Sequence, residues 1–297
     1  GPSFCIGPCV LCYGSNRASH RRRASTRIRQ TVEILDMQQC MLGESKVSIH
    51  KDAEKGVCLR ASVNVKAGDV LLREVPLLST PTASEKLKKS IDEFCRIIEG
   101  EDRLLILLSR RYIPPLCAFA DAPAQLREAV LSLQSDFAVS DSKIAKAARR
   151  LAIMFHRSGL FSTSGGLVKV SVSKEHISLV LNLLIINSAD TLPDGSEAVF
   201  YMGAMLEHSC SPNARFCIRS WEQDAAPAKQ LWIGEWQATK NIASGEPVTT
   251  SYLEPELLER PARERGHVLL ARMGFNCACD SCSQELRPPS IDLSEMD

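Results

Sequence analysis

The run Cys277-Ala278-Cys279-Asp280-Ser281-Cys282 puts three thiols within six residues. Left free, they would be an unusual density of reactive groups. Together they offer three soft ligands of the kind zinc takes, and a structural zinc site needs four in a tetrahedron. The fourth must come from elsewhere, so a bound metal would tie this segment to a distant part of the chain. Spacing alone leaves Cys210, Cys217 and His208 as candidates. A metal closed by four protein thiolates has no open position for water or substrate, so its role would be structural. The chain has 12 cysteines, and their crowding here points to metal ligation in a reducing, intracellular setting, nucleus or cytoplasm, and not to a disulfide framework. Cys5, Cys9 and Cys12, with Cys40, make a weaker second set for which free thiols are the simpler reading.

A length of 297 residues supports one substantial core or two modest domains sharing one. Formal net charge is +1, so the molecule as a whole does not advertise a nucleic-acid partner. One local bias stands out: Arg17, Arg21, Arg22, Arg23, Arg27 and Arg29 form a basic stretch without an acidic residue. It reads as a solvated lead-in, with nucleic-acid binding there a minor alternative. The longest apolar run, residues 177–186, is interrupted by Ser178 and Asn182 and reads as a buried helix, so no membrane partner is expected.

The pattern divides the chain into a basic, cysteine-containing segment (1–45), a strand-rich part (46–80), a mainly helical insertion (81–175), a second strand-rich part (176–255), a cysteine-bearing segment (256–283) and a peripheral tail (284–297). A short helix is expected near residues 30–41. Lys55-Gly56 marks a turn before a strand at 57–61, residues 65–69 mark another turn, and 70–78 read as a strand that lies at an edge or ends at Pro76. Ser84 or Thr82 can cap the first helix, and Pro114-Pro115 is expected to break the chain between helices. Ile144, Ala147, Ala148, Leu151, Met154 and Phe155 make an apolar helical stripe. Residues 167–172 are a possible strand and 176–186 a helix with His176 at its exposed start. Strands follow at 214–221, 231–239 and 248–252, a loop at 225–230, and a helix over 256–272. This order gives a mixed α+β architecture without the regular alternation of a doubly wound sheet.

Leu206-Glu207-His208-Ser209-Cys210-Ser211-Pro212-Asn213 resembles the Asn-His-Ser-Cys-x-Pro-Asn signature of SET-domain protein methyltransferases. Residues 245–252 resemble the second signature of that family, which ends in its active-site tyrosine. Residues 55–59 resemble the opening turn and strand that meet the cofactor, and Gly274-Phe275 leading into the cysteine run resembles the closing segment. The long insertion, Asn187-Ser188 after an apolar helix, and the closing cysteines are similar to the SMYD-like subgroup. That subgroup carries a MYND zinc finger in its early insertion. Residues 81–160 hold only Cys95, Cys117 and His156, too few to build one.

The resemblance implies a SET-domain fold of short β-sheets with a helical insertion and a C-terminal post-SET zinc site. It implies S-adenosyl-L-methionine as methyl donor and a lysine of a protein or peptide, histone or non-histone, as acceptor. By the same resemblance Tyr252 is catalytic. Lys55, Gly56, Val57, Asn187, Leu206, Glu207, His208 and Phe275 contact the cofactor. Met273 and Phe275 join Tyr252 around the substrate channel, and Cys210 completes a zinc site with Cys277, Cys279 and Cys282. Glu207 departs from the family asparagine. Its carboxylate can pair with the cofactor ammonium or repel the cofactor carboxylate, so a catalytically impaired scaffold is the alternative.

Overall fold

The computed structural model describes residues 41–52, 56–80, 84–100, 102–133, 143–193, 195–221 and 231–287. The arginine cluster, Cys5, Cys9, Cys12 and Cys40, the helix expected near 30–41 save its last residue, Lys55, Thr82, the loop at 225–230 and the tail from 288 lie outside them. Met41 itself forms a bridge with Glu74.

β1 (Val47–Asp52) and β2 (Gly56–Ala61) form an antiparallel hairpin. Gly56, at φ 80°, takes the left-handed conformation that leads into β2. β3 (Val70–Glu74) follows the turn at 66–69, where the Asp69 carboxylate accepts from the Lys66 amide at 3.2 Å. Of the two roles open to Pro76 in the 70–78 stretch, it ends the strand, and a separate short strand follows. Val75-Pro76 parts β3 from β4 (Leu78–Ser79), and the two enter different sheets because proline cannot donate to a ladder.

The insertion begins with α1 (Glu85–Ile97), capped by Ser84, whose hydroxyl accepts from the Leu87 amide at 3.2 Å. α2 (Arg103–Asp121) runs straight through Pro114 and Pro115, contrary to the expected break. Each proline lacks the amide that would meet the carbonyl four residues back, and those two positions, Arg110 and Arg111, are exposed, on the face where water has access. Burial of Ile113, Leu116, Cys117, Phe119 and Ala120 outweighs the helix penalty of about 3 kcal/mol per proline. α3 (Ala124–Ser132) and α4 (Lys143–Ser158) complete the insertion's helices, and α5 (Lys174–Asn187) leads out of it. α4 buries the expected stripe, and His176 is exposed. Residues 167–172 are not a strand: no neighbouring strand pairs with them, and Lys169 instead donates its amide to Asp121.

Beyond the insertion, β5 (Ser188–Thr191) and β6 (Glu197–Val199) join β4 in a sheet ordered β4-β6-β5. β7 (Glu207–His208) precedes a long antiparallel pair, β8 (Ala214–Trp221) and β9 (Leu231–Ala238), and β3 completes a sheet ordered β3-β9-β8. The strand expected over 248–252 shortens to β10 (Thr249–Thr250), parallel to β7. The helix expected over 256–272 is two, α6 (Pro255–Leu258) and α7 (Ala262–Met273), because Pro261 begins the second. α8 (Asp280–Glu285) ends the described chain.

Two apolar cores result. One gathers the insertion helices with Tyr252, Leu253 and Leu269. The other fills the sheets with Leu59, Leu72, Phe200, Phe216 and Trp236. In the second, Phe216 and Trp236 rings lie 4.8 Å apart, and Gly203 lets the Trp236 ring lie directly against the backbone. No helix among the described residues is long and apolar enough to cross a membrane.

Glu74 is the one carboxylate sunk completely between these elements among the described residues, at 0% exposure. It accepts from the Met202 amide at 2.8 Å and the Gly203 amide at 3.1 Å, anchoring the 3-10 turn Gly203–Met205 that leads into β7. Burial pushes its carboxyl up from 4.5 to about 7, against the pull of those amides. Between those values the folded state holds a proton that the unfolded state has lost. The Glu74 contribution to stability is therefore full below pH 4.5 and is lost as pH rises through about 7. In thermal unfolding followed by circular dichroism, the stability of the wild type relative to Glu74→Gln is expected to be greatest near pH 4.5 and to shrink by pH 7.5, both bracketing that window. A difference that stays constant across the window would show that Glu74 does not titrate there.

Candidate functional site

Three stretches remote in sequence are laced side by side. Val248 donates its amide to the Leu59 carbonyl at 2.9 Å, and Gly245 donates to Ala61 at 2.8 Å, laying residues 245–248 along β2. On the other side β10 runs beside β7, and the Ser209 amide reaches the Thr250 carbonyl at 2.9 Å. Asn213 fastens the join. Its amide group donates to the Pro247 carbonyl at 2.9 Å and accepts from the Thr249 amide at 2.8 Å. Asn213 closes the first signature, and nothing in its local pattern signals this bridging task.

Tyr252 leaves β10 buried, at 4% exposure. Its hydroxyl donates to the Leu206 carbonyl, and its backbone amide donates to His208 Nδ1 at 3.0 Å. The His208 and Tyr252 rings lie 5.0 Å apart, and Phe275 stands edge-on to both at 6.0 and 6.3 Å. Burial pushes the His208 imidazole down to about 4, with Arg265 adding to the effect and Cys279 opposing it, so the ring is neutral near pH 7.

Beside these rings opens a cleft of about 820 Å³. Glu207, His208 and Phe275 line it, together with Asn276, Cys279 and Lys240. The other sequence-predicted residues sit differently. Gly56 and Val57 are half-buried on β2, Leu206 and Tyr252 lie behind the cleft wall, and Met273 ends α7, partly buried against the helical core. Asn187 is buried at the end of α5, and its side-chain amide donates to its own helix at Leu183, 2.8 Å away. Glu207 is 7% exposed and accepts a hydrogen bond from the Cys58 thiol. Burial first, and the Glu207 charge second, push that thiol up to about 11. Cys58 lies inside the opening strand, yet nothing in its local pattern signals this partner.

The sulfurs of Cys210, Cys277, Cys279 and Cys282 all lie within 4.8 Å of one another. Cys210 is 3.9 Å from Cys277 and 3.5 Å from Cys282. A tetrahedron with metal–sulfur bonds of about 2.3 Å has edges near 3.8 Å, so this donor set fits zinc. Of the three candidates for fourth ligand, Cys210 joins the cluster, Cys217 lies on β8, and His208 stands outside it with Nε2 3.3 Å from Cys210 Sγ. Among themselves the thiols share protons unevenly: hydrogen bonds with Cys277 and Cys279 push Cys210 up, and those from Cys210 and Cys277 draw Cys279 down.

The surroundings also suit negative sulfur. The Cys210 amide donates to Cys279 Sγ at 3.4 Å, and the Cys279 amide to Cys277 Sγ at 3.5 Å. Arg265, 4% exposed, points Nη2 at Cys282 Sγ, 3.5 Å away, and pairs with Glu285 at 2.6 Å. A guanidinium buried this deeply needs negative partners, and one carboxylate with a metal-bound tetrathiolate would supply them. The sequence showed an arginine-bearing helix but not which arginine turns inward.

Comparison with known proteins fits this geometry. The family model described as the SET domain matches residues 56–253, more than half of the chain. The chain is 30% identical over 101 residues to "Histone-lysine N-methyltransferase set5" of Schizosaccharomyces pombe, covering 34% of this chain and 28% of the relative. It is 35% identical over 88 residues to "Histone-lysine N-methyltransferase ATXR2" of Arabidopsis thaliana, covering 30% of this chain and 16% of the relative. The matches thus span less than a third of either relative. In three dimensions the chain superimposes on the solved SET domain of LSMT bound to lysine and AdoHcy with a TM-score of 0.53 at 13% identity, covering 86% of this chain and 58% of that one. That likeness is one of fold. With more than half of its length matching the family model, the chain belongs to the SET-domain family.

Proposed function

We propose that this chain transfers methyl groups from S-adenosylmethionine to the ε-amino group of lysine in a protein substrate. The observation that carries the reading is the double anchoring of Tyr252, phenol on the Leu206 carbonyl and amide on His208, beside a cleft walled by Glu207, His208 and Phe275. Bound S-adenosylmethionine would supply an electrophilic sulfonium methyl for the lone pair of a neutral lysine nitrogen. The chain's residues supply alignment and a matched electrostatic setting. Tyr252 is a neutral phenol fixed by its acceptor, suited to orient reactants and unsuited to strong base chemistry. Phe275 offers an apolar wall for a flat heterocycle, His208 and Leu206 offer backbone contacts, and Met273 would border the lysine channel. Asn187, Gly56, Val57 and Lys55 would complete the cofactor site, for which the Asn187 amide must turn away from Leu183.

Zinc held by Cys210, Cys277, Cys279 and Cys282 would be structural, since the protein fills all four positions. Residues 46–80 and 176–255 then act as two parts of one catalytic fold around the insertion, and 256–283 as the segment that closes it. The SMYD-like reading rests on that helical insertion and on Asn187 at the end of an apolar helix. The lack of a MYND finger rests on Cys95, Cys117 and His156 being the only such ligands in 81–160. Substrate lysines on histone or non-histone proteins fit equally, in nucleus or cytoplasm.

A second reading, a SET fold retained as a scaffold, is favoured by Glu207, whose carboxylate at the cleft already accepts from Cys58. Calorimetric titration of S-adenosylmethionine into the zinc-loaded protein separates the two. Binding by the wild type supports the enzyme, whereas binding only by Glu207→Asn supports the scaffold.

Tyr252→Phe keeps the ring and removes the hydroxyl, so kcat on a lysine peptide is expected to fall about 100-fold or more with little change in cofactor affinity. Full activity in that variant would remove Tyr252 from the mechanism. Elemental analysis is expected to find one zinc per chain. Cys282→Ser should lower zinc content, melting temperature and cofactor affinity together, because metal binding is coupled to folding of the cleft wall. A zinc-free preparation that is folded and binds cofactor normally would overturn the structural-zinc assignment.

A further inference from the structure

The function proposed above uses the His208 ring only as acceptor of the Tyr252 amide, yet both of its ring nitrogens are engaged. Nδ1 accepts from the Tyr252 amide at 3.0 Å, so it carries no proton and the ring is neutral. The ring hydrogen must therefore sit on Nε2, which lies 3.3 Å from Cys210 Sγ. The contact is then an N–H donating to sulfur. The tautomer is set by the two partners together, one demanding an acceptor and the other accepting a donor.

We propose that His208 is a positioning residue that transmits the state of the four-cysteine centre to Tyr252 through its two ring nitrogens. A metal-bound thiolate at Cys210 is a fixed, negatively charged acceptor, and it holds the ring with Nε2–H toward sulfur and Nδ1 toward Tyr252. A metal-free Cys210 thiol carries its own proton and is a weak acceptor, so the ring loses its reason to keep that orientation. Tyr252 would then lose the acceptor of a buried amide. The placement of Tyr252 depends on the same short segment at both ends, since its hydroxyl rests on the Leu206 carbonyl two residues before His208. Residues 206–208 thus clamp Tyr252 at phenol and backbone, and Cys210 ties that clamp to the metal. The centre would act on the reaction by orienting the tyrosine as well as by stapling the closing segment.

The idea rests on the methyltransferase reading for its kinetic consequence but not for its structural one, and the test separates the two. In full-length protein loaded with cadmium-113 and labelled with nitrogen-15 at histidine, the His208 ring is expected in the Nε2–H tautomer. Its Nε2 proton should show a cadmium coupling carried across the hydrogen bond to sulfur. Chelation should abolish that signal and move the Tyr252 amide resonance. In the zinc-loaded enzyme His208→Ala is expected to lower kcat by about 10–100-fold, the range typical of groups that orient a site from behind, with a smaller effect on the cofactor KM. His208→Asn, whose carbonyl can replace Nδ1 as acceptor, should recover most of that loss. An Nδ1–H tautomer, absence of the coupling, or a Tyr252 amide indifferent to metal would overturn the relay. Equal kcat in His208→Ala and wild type would do the same. If the coupling is present but no lysine substrate is methylated, the methyltransferase reading fails and the structural link stands.

Discussion

Four sulfur atoms within 4.8 Å of one another are the constraint around which the candidate site is organised. Thiolates at that spacing repel unless a cation lies among them, and thiols at that spacing only exchange hydrogen bonds too weak to gather two distant segments. A metal resolves this by joining Cys210, directly after the first signature, to the run at 277–282. Much nearby then follows. Phe275 is delivered to the cleft because it lies two residues before Cys277. Arg265 can be buried because its charge meets sulfur and Glu285. α8 begins at Asp280 within the cluster, and Cys282, buried on its first turn, fixes its direction.

The opposite side of the site is held without metal. Glu74 gathers the amides at 202 and 203, Asn213 bridges the two signatures, and residues 245–250 lie between β2 and β7 through backbone bonds. These are groups whose removal leaves a buried donor or acceptor unmet, which costs more than the bond itself contributes. The difference in fasteners has a logic. Residues 207–213 and 245–250 form short strands whose backbones already face each other. The closing segment after Gly274 has almost no regular structure until α8, so no ladder is available to dock it.

How far this was legible in the sequence depends on the range of the forces involved. Helix α1 with its Ser84 cap, the α4 stripe and the glycine turns are local, and they stand where periodicity and turn chemistry put them. The unbroken α2 was not legible, because Pro114 and Pro115 carry a local penalty that only the packing of distant side chains can offset. The reverse occurred at 167–172, where strand-like residues found no partner strand. At the site, the signatures and the triple-cysteine run could be read directly, but the choice among Cys210, Cys217 and His208 came from family likeness, not from spacing. Cys58 beside Glu207, the inward turn of Arg265 and the burial of Glu74 are long-range matters, invisible to any window along the chain.

The helical insertion then takes on a different meaning. From its pattern it is an excursion between two strand-rich parts. In the fold its core includes Tyr252 and Leu253, whereas Leu206 and Val248 belong to the core of the sheets. The bond from the Tyr252 hydroxyl to the Leu206 carbonyl therefore crosses the seam between two separately packed bodies of side chains. A residue at such a seam is held from both sides, and small shifts of either core move it relative to the other. Dense packing makes each core resist deformation, so relative displacement would concentrate at the seam. This gives the insertion a direct hold on the reacting geometry even though its helices α1 to α4 contribute no residue to the cleft lining. Cys210 and Cys277 also pack against the helical core, so the sulfur centre is tied to the insertion's side of that seam.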